Sequence, residues 1–383
     1  MSSISFLSAS QIPHLTTSQI KNLSTSDVAL LSTDQIAALS STQISAIEAQ
    51  DFVVLTSGQI SAFDGSKFSD GLLVYGNKSS LLSPTQVQGL TTSQLSSFTS
   101  QHLGFFDSKD MASLSSVQLN SFKTDVIAGL STQQVQALTT GQVKALSEAQ
   151  VKSITTAGVA VLSTAQVSVM STAQVKALES NQFASLTGTQ LGAFSDTQLA
   201  AVDTVDLDQL STKQIQSLTG SAISGMTTGQ ISSLKTANLA ALTTTQVGSF
   251  TTEQIVALTT GQIDKLTSTQ VKALSATQVA AIATDDLAKM TTAQVAALDA
   301  TGVGKFTTSQ INNLTTDQIQ ALTSAQGKEL TSAQVVALGA SKIDKLNTDA
   351  VKTLSTSVIA NLGTDQVAAL GSNQISSLTT AQV

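Results

Sequence analysis

Leu130 to Ala177 reads LSTQQVQA, LTTGQVKA, LSEAQVKS, ITTAGVAV, LSTAQVSV, MSTAQVKA: one eight-residue unit written six times without a gap. Numbering the unit 1 to 8, position 1 is Leu or another large apolar residue, and positions 2 and 3 are mostly Ser or Thr. Position 5 is usually Gln, position 6 is Val, Ile or Leu, and position 8 is small. A fixed internal period decides architecture before any other feature of a chain.

An N-cap placed at position 2 makes sense of every other position. Its hydroxyl accepts from a free N–H of the first helical turn, and the Gln at position 5, the third helical residue, reaches back to the cap's own N–H; this is the capping box. Positions 1 and 6 become the hydrophobic staple that fixes how the chain enters the helix. The pairs Ser131 and Gln134, Thr139 and Gln142, Ser147 and Gln150, and Ser163 and Gln166 are the expected structural capping residues. Pro84, in LSPTQVQG, falls at the first helical position, where its missing N–H costs nothing. Each octad is thus a helix of about six residues and a tight link, below the ~12–15 residues at which isolated helices become marginal. Such helices persist only by packing on neighbouring units, as in a solenoid.

The fold expected is therefore all-α, a solenoid or superhelix with one very short helix per octad. Three other architectures compete. In one continuous helix, eight residues overshoot two turns by roughly 80°, so no constant apolar seam forms. In a β-solenoid, the main alternative, positions 6 and 8 face one way and the next position 1 the other, which splits the core. Disorder sits badly with 41% hydrophobic residues in strict register and only two Pro. After residue 106, Gln at position 5 gives way at Asp110, Val126, Gly158, Asp206, Ala222, Asn238, Asp286, Gly302, Lys342, Ala350 and Val358. All but Lys342 and Val358 are separated by multiples of 16, which predicts two octads (16 residues) per turn.

Octads run from Leu7 to residue 70, with Pro13 marking an atypical first unit that serves as a cap. Residues 71–81, GLLVYGNKSSL, are eleven where eight were due, so the phase slips by three. Leu72–Tyr75 followed by Gly76-Asn77 reads as a short strand and turn, and Leu73, Tyr75 and Asn77 as a contact loop. From Leu82 the phase holds to the end, giving three regions: 1–70, 71–81 and 82–383. Eight of the twelve Phe precede residue 123, so the N-terminal third is the less regular part. The sequence stops at Val383, position 6 of an octad, which suggests a fragment or an end covered by another subunit.

Composition narrows the functional classes. Without Cys there is no disulfide, thiol nucleophile or thiolate metal site. His14 and His102 stand far apart and read as surface or boundary residues. A net charge of −7, with every basic residue a Lys, offers no basic face for nucleic acid. The acidic residues form no calcium-loop pattern, no Gly-x-Ser-x-Gly elbow occurs, and no apolar run reaches the ~18 residues that span a membrane. No N-terminal stretch reads as a signal peptide. The expectation is a non-enzyme with no cofactor and no metal, presenting an uncharged surface rich in Ser, Thr, Gln and Ala.

The LTTAQVAA-like octads resemble repeat tracts of large bacterial secreted or cell-surface proteins. That resemblance implies an extracellular adhesive or fibrous role and no site residues. It goes with the first functional expectation, a rod or filament subunit that self-associates end to end, without excluding the cytoplasm. The other expectation is a binding module whose Ser/Thr lattice, for example Thr140, Thr164 and Thr172, docks carbohydrate such as matrix glycans, peptide or ice. The Gln residues are expected to be structural, with Gln166→Ala costing roughly 0.5–2 kcal/mol as a lost cap.

Overall fold

The computed structural model describes residues 4–73 and 78–383. Among the described residues there are 44 α-helices and three 3-10 segments, with no strand, so the β-solenoid alternative falls. From Leu82 to Leu370 each octad supplies one helix of four to seven residues, as in Thr132–Ala137, Thr140–Ala145 and Glu148–Ser153. Pro84 stands at the first helical turn of Pro84–Gln88. Pro13 lies in a 3-10 segment, Ala9–His14, rather than an α-helix.

The links are two residues of extended backbone. Leu138, at position 1, has φ −59° and ψ 134°, and Thr139, at position 2, has φ −72° and ψ 159°. The Leu138 N–H bonds back to Val135 O at 3.2 Å, closing one helix just before the next begins. Positions 1 and 6 form the core: Leu130, Val135, Leu138, Val143, Leu146 and Val151 are all buried. Each such side chain taken out of water contributes about 1.5–3 kcal/mol. Among the early octads the same positions carry aromatics, and Phe52, Phe63 and Phe68 stack with centroids 4.9 to 6.4 Å apart.

Helices pack on those three octads away, such as Ser324–Glu329 on Thr348–Thr353. Hydrogen bonds between successive turns span 28 and 31 residues. A turn therefore takes about three and a half octads, not the two predicted from the spacing of Gln replacements. The links explain this. A reversal of direction in two residues ordinarily needs φ > 0, yet Leu and Ser/Thr occupy the links, and Gly339 is the one positive-φ glycine among the described residues. The extended link turns a corner without reversing the chain, so more than two helices are needed to come round. The inter-turn bonds do not repeat at 16 residues, and we have no physical account of that sequence spacing.

The phase slip of three residues is absorbed by one turn. Gln86 and Gln94 reach back 34 and 31 residues, each three more than elsewhere, and the pattern then resumes. The strand expected from Leu72 is instead the end of a helix, Gly65–Leu73, because the apolar run continues that helix's own buried face at Phe68 and Leu72. Tyr75, Gly76 and Asn77 lie outside the described residues. The octads fall into two compact units, Met1–Ala193 and Phe194–Val383. No described helix is long and apolar enough to cross a membrane.

Candidate functional site

A six-residue helix is almost all terminus. The first four N–H and last four C=O groups of any helix lack partners within it, so a chain of such helices needs a systematic way to satisfy them. The residues that do this are the Ser/Thr at position 2 and the Gln at position 5.

In the octad of Gln166, the Ser163 N–H donates to Gln166 Oε1 at 2.7 Å, and the Gln166 N–H donates to Ser163 Oγ at 3.2 Å. The same reciprocal pair links Ser131 with Gln134 at 2.9 and 3.3 Å and Thr139 with Gln142 at 2.7 and 3.2 Å. Ser147 and Gln150 form it at 3.0 and 3.2 Å.

The other half of the amide does something the capping box does not foresee. Gln166 Nε2 donates to Val135 O at 3.2 Å and to Leu138 O at 2.7 Å, both on the preceding turn. Gln134 reaches Leu103 O and Phe106 O, Gln142 reaches Met111 O and Leu114 O, and Gln150 reaches Leu119 O and Phe122 O. In the second unit Gln254 reaches Ile223 O and Met226 O in the same way. The receiving carbonyls belong to position 6 and the following position 1, the C-terminal end of one helix and the link after it. Each of these Gln side chains thus ties the start of its own helix to the position 6 and position 1 carbonyls of the turn before, the former of which, as at Val135 O, also accepts from the N–H that closes its helix. These side chains are buried, Gln166 being 2% exposed. The expected Gln-rich surface is therefore corrected: position 5 faces inward between turns, and the outer surface is Ser, Thr and Ala.

One signal in the sequence could have revealed this. A capping box accepts Glu as readily as Gln, but no octad carries Glu at position 5. Glu caps equally well and cannot donate. The residues that do replace Gln divide by which arm they keep. Asn238 keeps the donor, to Leu210 O at 3.2 Å. Lys342 Nζ donates to Asn312 O and Leu314 O. Asp110 keeps only the acceptor, for the Asp107 N–H at 3.0 Å, and burial raises its pKa above the ordinary 3.8. Gly158, Gly302 and Ala350 keep neither.

His102 was expected at the surface or a boundary; it is buried at 2% exposure. It stands at position 5, and the inter-turn role draws it inside. Its Nδ1 accepts from the Thr99 N–H at 3.0 Å, and Nε2–H donates to Ser69 O at 2.8 Å. Of the contact loop, Leu73 is the last helical residue of Gly65–Leu73, and Tyr75 and Asn77 are not described. Thr140, Thr164 and Thr172 are exposed at position 3.

Geometry of this kind defines a class: an α-helical tandem-repeat solenoid whose unit is a capped octad bridged to the next turn by a side-chain amide. The ALTTAQ repeat family model matches residues 10–41, 105–140, 151–188, 199–236, 232–260, 279–316 and 343–380, more than half of the chain, and the protein belongs to the ALTTAQ repeat family. A comparison with curated proteins finds no match.

Proposed function

We propose that the protein is a structural repeat protein that associates with copies of itself, acting outside a bacterial cell as an adhesive or matrix component. The observation that carries self-association is a column of apolar side chains on the outer surface. Position 8 is almost everywhere small or polar, but it is Leu30 and Val54 in octads set three apart, with Phe6 one such step before Leu30 and Phe105, allowing for the phase slip, two such steps after Val54. These residues are 61%, 37%, 79% and 42% exposed. Because helices three octads apart stack on one another, as Thr25–Ala29 does on Ala49–Phe52, Leu30 and Val54 lie on neighbouring turns, with Phe105 two steps further along the same line. Exposed contiguous apolar patches mark association surfaces. End-to-end growth draws support from the turns themselves: each offers amide donors on one side and carbonyl acceptors on the other, and unlike faces that do not close give open filaments. The extracellular setting rests on the resemblance to secreted and surface repeat tracts.

Light scattering and electron microscopy of the full chain test this. Elongated assemblies are expected, and Leu30→Ser, Val54→Ser and Phe105→Ser together should weaken lateral association while leaving the melting temperature within a few degrees. A chain that stays strictly monomeric at high concentration defeats the proposal. In that case the exposed Thr140, Thr164 and Thr172 favour the binding-module reading, which a glycan array and an ice-recrystallisation assay address.

A further inference from the structure

We propose that His102 makes one turn of the coil acid-sensitive: a proton on Nδ1 removes the bond that closes the helix Ser100–Leu103 at its start and loosens that helix from Gly65–Leu73. The inference extends the inter-turn role of position 5 and does not depend on self-association.

The imidazole occupies the place of the amide and copies both of its functions. Nδ1 faces the Thr99 N–H at 3.0 Å, which can only donate, so it must be the unprotonated nitrogen, and the Thr99 hydroxyl at 2.9 Å then donates to it as well. Nε2 faces the Ser69 carbonyl at 2.8 Å, so it carries the hydrogen. This is the neutral ring in one fixed tautomer, and in neutral imidazole one nitrogen donates while the other accepts. Protonation turns Nδ1 into a donor pointed at the Thr99 N–H. An amide at this site never meets that problem, because it does not titrate.

The surroundings favour the cation less than burial opposes it. The ring lies against Phe98, centroids 4.8 Å apart and 19° from parallel. Of the helices packed on Ser100–Leu103, Gly65–Leu73 carries Lys67 and Asp70, and Thr124–Ala128 carries Asp125, preceded by Lys123. Asp70 favours the cation, as does the Ser69 carbonyl, but burial outweighs both and lowers the pKa from its ordinary 6.5. The sign follows. Above about 6.5 both folded and unfolded chains hold neutral histidine, and nothing is lost. As pH falls from 6.5 toward the lower folded value, the unfolded or locally opened chain takes up a proton first and is favoured.

The test is amide hydrogen exchange on the full chain between pH 7.5 and 5, corrected for intrinsic exchange, with the His102→Gln variant that restores the usual residue. Opening at residues 99–103 is expected to grow several-fold relative to the octads of Gln134 and Gln142 as pH falls, and His102→Gln should abolish that growth. Ring nitrogen shifts of the wild type give a readout that needs no variant. The Nε2–H tautomer and a midpoint below the ordinary 6.5 support the proposal. The opposite tautomer, a midpoint at or above 6.5, or an identical pH profile in the variant overturns it.

Discussion

The octad of Gln166 and the octads of Gly302 and Ala350 hold adjacent turns together by opposite means. At Gln166 the turns are bridged by a side chain whose amide accepts from Ser163 and donates to Val135 O and Leu138 O, with a longer contact to Gln136 O. At Gly302 the bridge is gone and the backbone itself closes in: a Cβ there would sit 2.6 Å from Val279 Cβ. The same column continues at Gly327, where a Cβ would meet Ala350 Cα and O at 2.8 Å. Gly327 replaces the usual branched residue at position 6 and Ala350 the usual Gln at position 5, so the two small residues face each other. Losing the amide thus goes with losing bulk. The repeat tolerates the exchange because hydrogen bonds and close packing are alternative ways of removing the same surface from water.

Putting the wrong chemistry into a bridged octad should have the largest effect. Gln166→Glu keeps the acceptor for Ser163 N–H but sets a buried carboxylate against Val135 O and Leu138 O. Leaving an uncompensated charge buried costs about 3–5 kcal/mol. Gln166→Ala, which removes both arms, should cost about 1–3 kcal/mol, more than a cap alone. The order Glu worse than Ala at neutral pH distinguishes the inter-turn bridge from a simple capping box, for which Glu is harmless. At acid pH the protonated Glu regains a donor, and the gap in melting temperature should narrow. A Glu variant as stable as wild type would reduce Gln166 to a cap.

A smaller effect is expected where bulk is restored without its space. Gly327→Val makes the sequence more regular, yet its Cβ lands 2.8 Å from Ala350 Cα and from Thr353 Oγ1. Overpacking of this kind costs about 1–3 kcal/mol, read as a lower denaturation midpoint with unchanged slope. Val at position 6 elsewhere is core, so a stabilised variant would show that the close column around Gly302, Gly327 and Ala350 is not what holds those turns.

What the sequence disclosed follows the range of each interaction. The caps, the staple positions and Pro84 are local, within one octad, and their chemistry is visible in eight letters. The second arm of Gln166 reaches 28 to 31 residues back, and no local pattern states that distance. The spacing of Asp110, Gly158 and Gly302 pointed instead to 16 residues, a period that the inter-turn bonds do not follow. His102 was misplaced as well. An isolated histidine looks like surface until its place at position 5 of LSTQQVQA-type units is taken as evidence of burial. The helix Gly65–Leu73 was expected only as far as residue 70, because Leu72 and Leu73 are compatible with either strand or helix, and packing of Phe68 and Leu72 on one face decided it.

Asp286 is a third kind of octad, neither bridged nor closely packed, and it gives the smallest and most diagnostic change. It is buried at position 5 of an octad whose cap, Ala283, offers no side chain to the first turn. A carboxylate has no N–H for the preceding turn, and burial, followed by the neighbouring Asp285, raises its pKa above 3.8. The charged form is therefore a burden on the folded state at neutral pH. As pH falls through the raised folded value toward 3.8, the folded chain takes up a proton that the unfolded chain does not yet hold, so this site's contribution to stability rises. Asp286→Asn removes the charge and supplies a donor. Asn238 shows the reach: from the same position it meets the carbonyl 28 residues back, Leu210 O, which for residue 286 is Leu258. The variant should be more stable than wild type by about 1 kcal/mol at pH 7, and the two melting curves should converge as pH approaches 4. Parallel curves across that range would mean that Asp286 is held by contacts indifferent to its charge, and that the amide at position 5 matters only where its second arm finds the turn before.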